Sequence, residues 1–149
     1  MPKKLSEHFT LEEMVISQIA TRKGLDNTPP PEELKNLRAL CVKLLEPIRA
    51  LAGNPVVVSS GYRSPAVNKA VGGAKSSQHV QGEAADITCP ALGQKKLFDL
   101  IRRSGLPFDQ VIDEFEQWVH VSHRRDAQKN RGETLRARKV DGKTVYTKV

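Results

Sequence analysis

Only two cysteines, Cys41 and Cys89, occur in 149 residues. That is too few for the disulfide framework that holds many small secreted domains together. Cys41 falls on an apolar helical stripe, so the expected state is a buried free thiol. Long apolar runs are also missing: none approaches the roughly 18–20 residues that a helix needs to cross a bilayer. Membrane insertion is therefore not expected. The opening residues Met1-Pro2-Lys3-Lys4-Leu5-Ser6-Glu7-His8 carry positive charge with no apolar stretch behind them. The expectation is synthesis in the cytoplasm without a signal peptide, so that any substrate outside must be reached by release or carriage.

Aromatic residues are few, with one tryptophan, two tyrosines and four phenylalanines. Charge is not. Lysine and arginine number 24 against 17 acidic residues, a formal net charge of +7, which suggests an anionic partner. Much of the excess lies near the C-terminus, in Arg124, Arg125, Lys129, Arg131, Arg136, Arg138, Lys139, Lys143 and Lys148. Tyr146 is the one aromatic ring in that stretch, so the stacking platforms of a single-stranded nucleic-acid binder are absent. A solvated basic face that adheres to an anionic cell envelope is the expectation, with no specific nucleic acid.

The length suits one domain with one core. Residues 1–30 read as an N-terminal docking segment, in which Ser6 or Thr10 can cap a short helix through Glu12, Glu13 and Met14. Thr28-Pro29-Pro30-Pro31 breaks the chain. Leu34, Leu37, Cys41, Leu44, Ile48 and Leu51 then recur at helical spacing, with Pro47 predicting a kink and Gly53-Asn54-Pro55 a stop. Val56–Ser60 reads as a buried strand, and Ser64-Pro65 as the start of a short helix through Ala70. Ile87-Thr88 is expected in a strand, Leu92–Arg103 in a helix, and Phe108–Phe115 with Trp118–Ser122 in two strands joined tightly. Residues 134–149 form a C-terminal hairpin about Asp141-Gly142, a type I′ signal. The sum is a single α+β domain, its helices packed on a small, mainly antiparallel sheet.

The segment Ser77-Gln78-His79-Val80-Gln81-Gly82-Glu83-Ala84-Ala85-Asp86 concentrates the chemistry. His79 and Asp86 stand seven positions apart, with small and turn-forming residues between them. If Ala84–Ile87 is extended, Ala84 and Asp86 share a face. Trp118, His120 and Ser122 share a face in the same way, while His123 has the opposite parity and is expected in solvent. His79, Asp86 and His120 can hold a metal with one position open, as hydrolytic zinc sites do. A histidine is often a surface or satisfied core residue, so spacing alone leaves coincidence open.

Taken together, Ser77-x-His79-x-x-Gly82-x-Ala84-x-Asp86 and Trp118-Val119-His120 resemble the zinc D-alanyl-D-alanine peptidases of the M15 type. Ser6-Glu7-His8-Phe9-Thr10-Leu11-Glu12-Glu13, Leu45-Glu46-Pro47-Ile48-Arg49 and Ser59-Ser60-Gly61-Tyr62-Arg63-Ser64 resemble its subgroup common in bacteriophages and prophages. The resemblance covers nearly the whole chain. It implies the zinc fold shared with hedgehog signalling domains, one Zn2+ per chain on His79, Asp86 and His120, and a monomer. Arg63 matches an arginine that faces the active site, where it can hold a substrate carboxylate or an oxyanion. Ser77 matches a small polar position near the substrate.

Several members of that family carry an acid three positions before the last histidine ligand, where this chain has Gln117. Glu114, six positions before His120, is therefore expected as the general base, with Glu116 and Asp113 as alternatives. The implied reaction is hydrolysis of a peptidoglycan stem-peptide bond at D-alanine, by a carboxypeptidase or an endopeptidase of endolysin type acting at the cell wall. The alternative, which Gln117 favours, is a zinc-binding structural module of a phage tail or virion without activity.

Overall fold

The computed structural model describes residues 3–149; Met1 and Pro2, which open the N-terminal segment 1–30, lie outside the described residues. Thr10, not Ser6, starts the first helix, α1 (Leu11–Val15). Its hydroxyl accepts from the Glu13 N–H, and the Glu13 carboxylate accepts from the Thr10 N–H, a reciprocal cap for two otherwise unpaired donors. Leu5, Phe9 and Met14 are buried, which docks this segment onto the core. Helix α2 (Gln18–Lys23) begins at a Ser17 cap and ends at Gly24 in the left-handed conformation.

The long apolar stripe folds as α3 (Pro31–Leu40), one π-helical turn (Cys41–Leu45) and α4 (Glu46–Ala52). Pro47 takes effect through that wide turn. A proline ring collides with the carbonyl four residues back and donates no hydrogen bond. The turn just ahead of it lets the Glu46 N–H reach the Cys41 carbonyl, five residues back, a local adjustment of the kind that relieves such a clash. Leu37, Leu40, Cys41, Leu44 and Ile48 are fully buried along this element. Each large aliphatic side chain among them contributes about 1.5–3 kcal/mol through removal from water. Burial pushes the Cys41 thiol up to about 12, with Glu46 and Glu13 adding to the effect, so it is an inert core group.

Strand β1 (Val57–Ser60) is followed by α5 (Pro65–Ala70), which Ser64 caps as expected. Next come β2 (Ala84–Thr88), α6 (Gln94–Arg102), β3 (Gln110–Glu114), β4 (Trp118–Ser122), β5 (Glu133–Val140) and β6 (Lys143–Lys148). They form one six-stranded sheet in the order β1-β2-β4-β3-β5-β6. Every neighbouring pair is antiparallel except β3–β5. The fold is thus a single α+β domain with a mainly antiparallel sheet. Asp141 and Gly142, at φ 52° and 78°, make the expected β5–β6 turn.

Three expectations need correction. Val56–Ser60 is only half buried: β1 is the sheet edge, Val56 and Val58 join the core, and Val57 is 48% exposed. The helix expected from Leu92 starts at Gln94, because Leu92 belongs to a turn onto Cys89. His123 is not in solvent but 2% exposed. Its parity was read correctly; the error lay in what that face meets. Ala85, Ile87, Val111, Val119 and Val121 turn to the helices and join the core. His123, next in the alternation after Val119 and Val121, therefore falls on that interior side and not in water.

Much of the C-terminal basic charge is paired. Asp109, whose side chain is 0% exposed, accepts from the Arg131 backbone and guanidinium, from Arg124 and from Gln78. Asp113, on the helix-facing side of β3, binds Arg138, Arg136 and Gln94. The first cluster fastens the Gln78–His79 loop to the sheet, and the second fastens β5 to β3. Among the described residues, no helix is long and apolar enough to cross a membrane.

Candidate functional site

Alternation along the central strands sends Asp86, His120, Ile112, Glu114 and Trp118 to the face away from the helices. Asp86 and His120 are direct partners in the β2–β4 register, and Glu114 and Trp118 close the β3–β4 hairpin. His79 arrives from the loop before β2. Gly82, at φ 73°, bends that loop, and a Cβ there would lie 2.5 Å from the Glu33 carbonyl oxygen, so only glycine fits.

The His79 ring is aimed by one bond. Its Nδ1 lies 2.7 Å from the Gly61 carbonyl oxygen. A carbonyl can only accept, so Nδ1 carries the proton and the Nε2 lone pair faces the cleft. That Nε2 is 3.3 Å from Asp86 Oδ1. The same carboxylate oxygen is 3.0 Å from His120 Nδ1. Gly61 itself packs so closely on the Met14 backbone that any side chain would collide with it. The Arg63 N–H meets the His79 carbonyl at 3.1 Å, which joins the two loops that frame the site.

All three residues are nearly buried, at 3%, 8% and 9% exposed for His79, Asp86 and His120. Burial pushes the Asp86 carboxyl up, but the adjacent His79 and His120 reverse this and hold it below the usual carboxylate range. Burial alone would lower His120; its hydrogen bond to Asp86 and the nearby Glu114 charge raise it instead.

The candidate donor atoms of the trio all lie within 4.8 Å of one another. Ligands about 2.0–2.2 Å from a tetrahedral zinc sit roughly 3.3 Å apart, and the two contacts to Asp86 are close to that spacing. Imidazole nitrogen with carboxylate oxygen is also a donor set that zinc accepts. Among the described residues the cluster holds three candidate ligands, the number found in hydrolytic zinc sites that keep one position open.

Glu114 Oε1 lies 3.8 Å from His120 Nδ1 and accepts from Trp118 Nε1 at 2.8 Å. The turn that presents it places Phe115 and Glu116 at φ 59° and 58°. Two non-glycine residues in that region cost about 1–3 kcal/mol each. The Arg63 guanidinium is 3.4 Å from Ser77 Oγ, and its buried Nε has no partner among the described residues. Burial lowers its pKa, with Asp86 and Glu114 acting in the opposite direction. Ser77 Oγ also accepts the His79 N–H at 3.2 Å, so it serves as a loop cap and as a contact for Arg63 at once.

All six residues singled out from sequence (Arg63, Ser77, His79, Asp86, Glu114 and His120) line one cleft of about 760 Å³. The alternatives to Glu114 do not line it. Asp113 is on the other face, held by Arg138 and Gln94, and the exposed Glu116 pairs with Arg138 at 3.4 Å. Gln117 is exposed at the hairpin tip and is not part of the cleft wall either. Sequence reasoning did not anticipate the Gly61 carbonyl, since every residue has one. It also missed Trp118 as the clamp on Glu114, although their positions flanking a three-residue turn were a usable signal. Lys139 and Tyr146 of the C-terminal hairpin reach the same cleft.

The sequence pattern of the family described as peptidase M15 matches residues 7–122, which include the whole trio. Over 63 residues the chain is 36% identical to a protein of Streptomyces albus G named zinc D-Ala-D-Ala carboxypeptidase. That alignment takes in 42% of this chain and 24% of the relative, so the chain spans about a quarter of the relative's length.

Proposed function

The chain belongs to the peptidase M15 family, and from that premise we propose that it is a zinc-dependent peptidase of peptidoglycan stem peptides, cutting at D-alanine. The observation that carries this reading is the convergence of His79 Nε2 and His120 Nδ1 on one oxygen of Asp86, with Glu114 and Arg63 beside them. The name of the Streptomyces relative supports the choice of substrate.

In this proposal His79, Asp86 and His120 hold one zinc ion per chain. Bound there, zinc supplies a Lewis acid that polarises a carbonyl and acidifies water. The Gly61 carbonyl keeps His79 in the tautomer that binding needs. Glu114 takes the proton from the attacking water and returns it to the leaving amine. Trp118 holds that carboxylate toward the trio. Arg63 offers a fixed cation to the substrate carboxylate or to the developing oxyanion, and Ser77 steadies its guanidinium.

The finer role is proposed on the same footing: a monomer of endolysin or virion-associated type, aided at an anionic envelope by its net charge of +7. The alternative of an inactive structural module drew on Gln117. With that residue outside the cleft, the alternative loses its motivating feature.

The test is incubation of the zinc-loaded protein with purified peptidoglycan and with a defined stem peptide ending in D-Ala-D-Ala. Mass spectrometry is expected to show a product shorter by one D-alanine or a cut cross-link, abolished by a chelator and restored by zinc. Stoichiometric zinc binding with no new product from several wall chemistries would sink the enzyme reading.

A further inference from the structure

The C-terminal hairpin lies beyond residues 7–122 of the family match, yet it builds one wall of the cleft through Leu135, Lys139, Thr144 and Tyr146. We propose that Tyr146 is a substrate-positioning residue whose phenol O–H donates to a backbone carbonyl of the bound peptide on the Glu114 side of the cleft. This rests on the peptidase reading of the site and names a contact that reading leaves open.

Register places the residue. Glu114 pairs with Ala137 across β3–β5, and Ala137 pairs with Tyr146 across β5–β6. The three form one row on the cleft face of the sheet. The middle member is fully buried and contributes only a methyl group, which leaves the space above it to larger neighbours. Tyr146 is half-exposed and shares the cleft with His79, Asp86 and His120.

Several donors around the cleft are already committed. Trp118 Nε1 is bound to Glu114, Gln110 Nε2 to Glu133, Gln78 Nε2 to Asp109, and the Arg131 guanidinium to Asp109. Tyr146 makes no side-chain hydrogen bond among the described residues. Burial and the carboxylates of Glu114 and Asp86 push its pKa up, so the oxygen keeps its proton at neutral pH. A neutral donor in the same row as the Glu114 carboxylate suits an uncharged carbonyl oxygen, while Arg63 suits a carboxylate. A peptide laid across the trio would meet both.

The test compares the zinc-loaded native chain with Tyr146→Phe, which removes one oxygen and keeps the ring. With a stem peptide ending in D-Ala-D-Ala, KM should rise roughly three- to tenfold, the worth of one hydrogen bond, while kcat stays within about twofold. Calorimetric titration with the product peptide, which is not turned over, should show a similar rise in Kd. An unchanged KM and Kd in Tyr146→Phe overturns the assignment. A native chain that binds the product peptide without cleaving the substrate, with Tyr146→Phe binding more weakly, upholds Tyr146 while the hydrolysis reading falls. No peptide binding by the native chain overturns both.

Discussion

Asp86 and His120 lie directly opposite each other across β2 and β4, and one oxygen of Asp86 is 3.0 Å from His120 Nδ1. The same oxygen is 3.3 Å from His79 Nε2. Two imidazoles on one buried carboxylate form a polar cluster within the sheet, and in the proposed reading a zinc ion would be their shared partner.

Removing one ligand should therefore remove the metal. His120→Ala is expected to lower zinc affinity by more than the roughly 10–100-fold typical of changes to a ligand's supporting partners. Atomic absorption after dialysis against a fixed free zinc concentration reads this directly, with circular dichroism as the check on folding. Full zinc occupancy in that variant would show that His120 is no ligand.

Glu114→Gln separates proton transfer from metal binding. Zinc content should stay at the native level while kcat falls about 10²–10⁴-fold, the range for loss of a general base. Glu116→Gln, altered at an exposed pair with Arg138, should leave kcat near native. The reverse ranking of the two variants would reassign the base.

Asp109 should dominate acid sensitivity. Burial pushes its carboxyl up, but Arg131 and Arg124 overcome this and hold it far below the usual range; Asp113 is lowered in the same way by Arg138 and Gln94. A carboxylate lowered on folding adds stability that is complete above its ordinary value near 4, and that is lost as pH falls toward the folded value. Melting temperature should therefore drop steeply below about pH 4. Asp109→Asn breaks a buried pair and should cost about 3 kcal/mol at neutral pH, or roughly 6–12 °C in Tm. It should also flatten the acid limb of a Tm–pH series.

His123 should behave in the opposite sense when replaced. It is buried, and neither ring nitrogen has a partner among the described residues. Burial, and then Lys43, lower its pKa, with Glu83 opposing. Below the ordinary value near 6.5 the unfolded chain takes up a proton that the folded chain does not, so stability declines as pH falls from that point toward the folded value. His123→Leu should remove this slope and leave neutral-pH stability equal or higher, because it deletes two unpaired buried polar atoms. A loss of several degrees in Tm at pH 7 would show that the imidazole has a structural partner.

The helices and the C-terminal hairpin were readable because their signals are local. A Thr10–Glu13 cap, a three-and-four apolar stripe and an Asp141-Gly142 turn act within a few residues of themselves. The same holds for the ligand strands, where period-two alternation placed Asp86 and His120 on definite faces. What each face would meet was not readable. His123 had the right parity and the wrong surroundings, since burial depends on helices that pack from other parts of the chain.

By itself, then, the sequence singled out His79, Asp86 and His120 as the candidate metal trio through their resemblance to the M15 peptidases, with Arg63 beside them and Glu114 preferred to Glu116 and Asp113. Tertiary structure decided the rest. The register of β2 against β4 brought Asp86 to His120, the Gly61 carbonyl chose the His79 tautomer, and Arg138 and Gln94 hold Asp113 away from the cleft. The sheet order carried Tyr146 to the same cleft. Each of these is a contact across many residues, set by strand pairing and by the satisfaction of buried polar groups, and no local pattern encodes it.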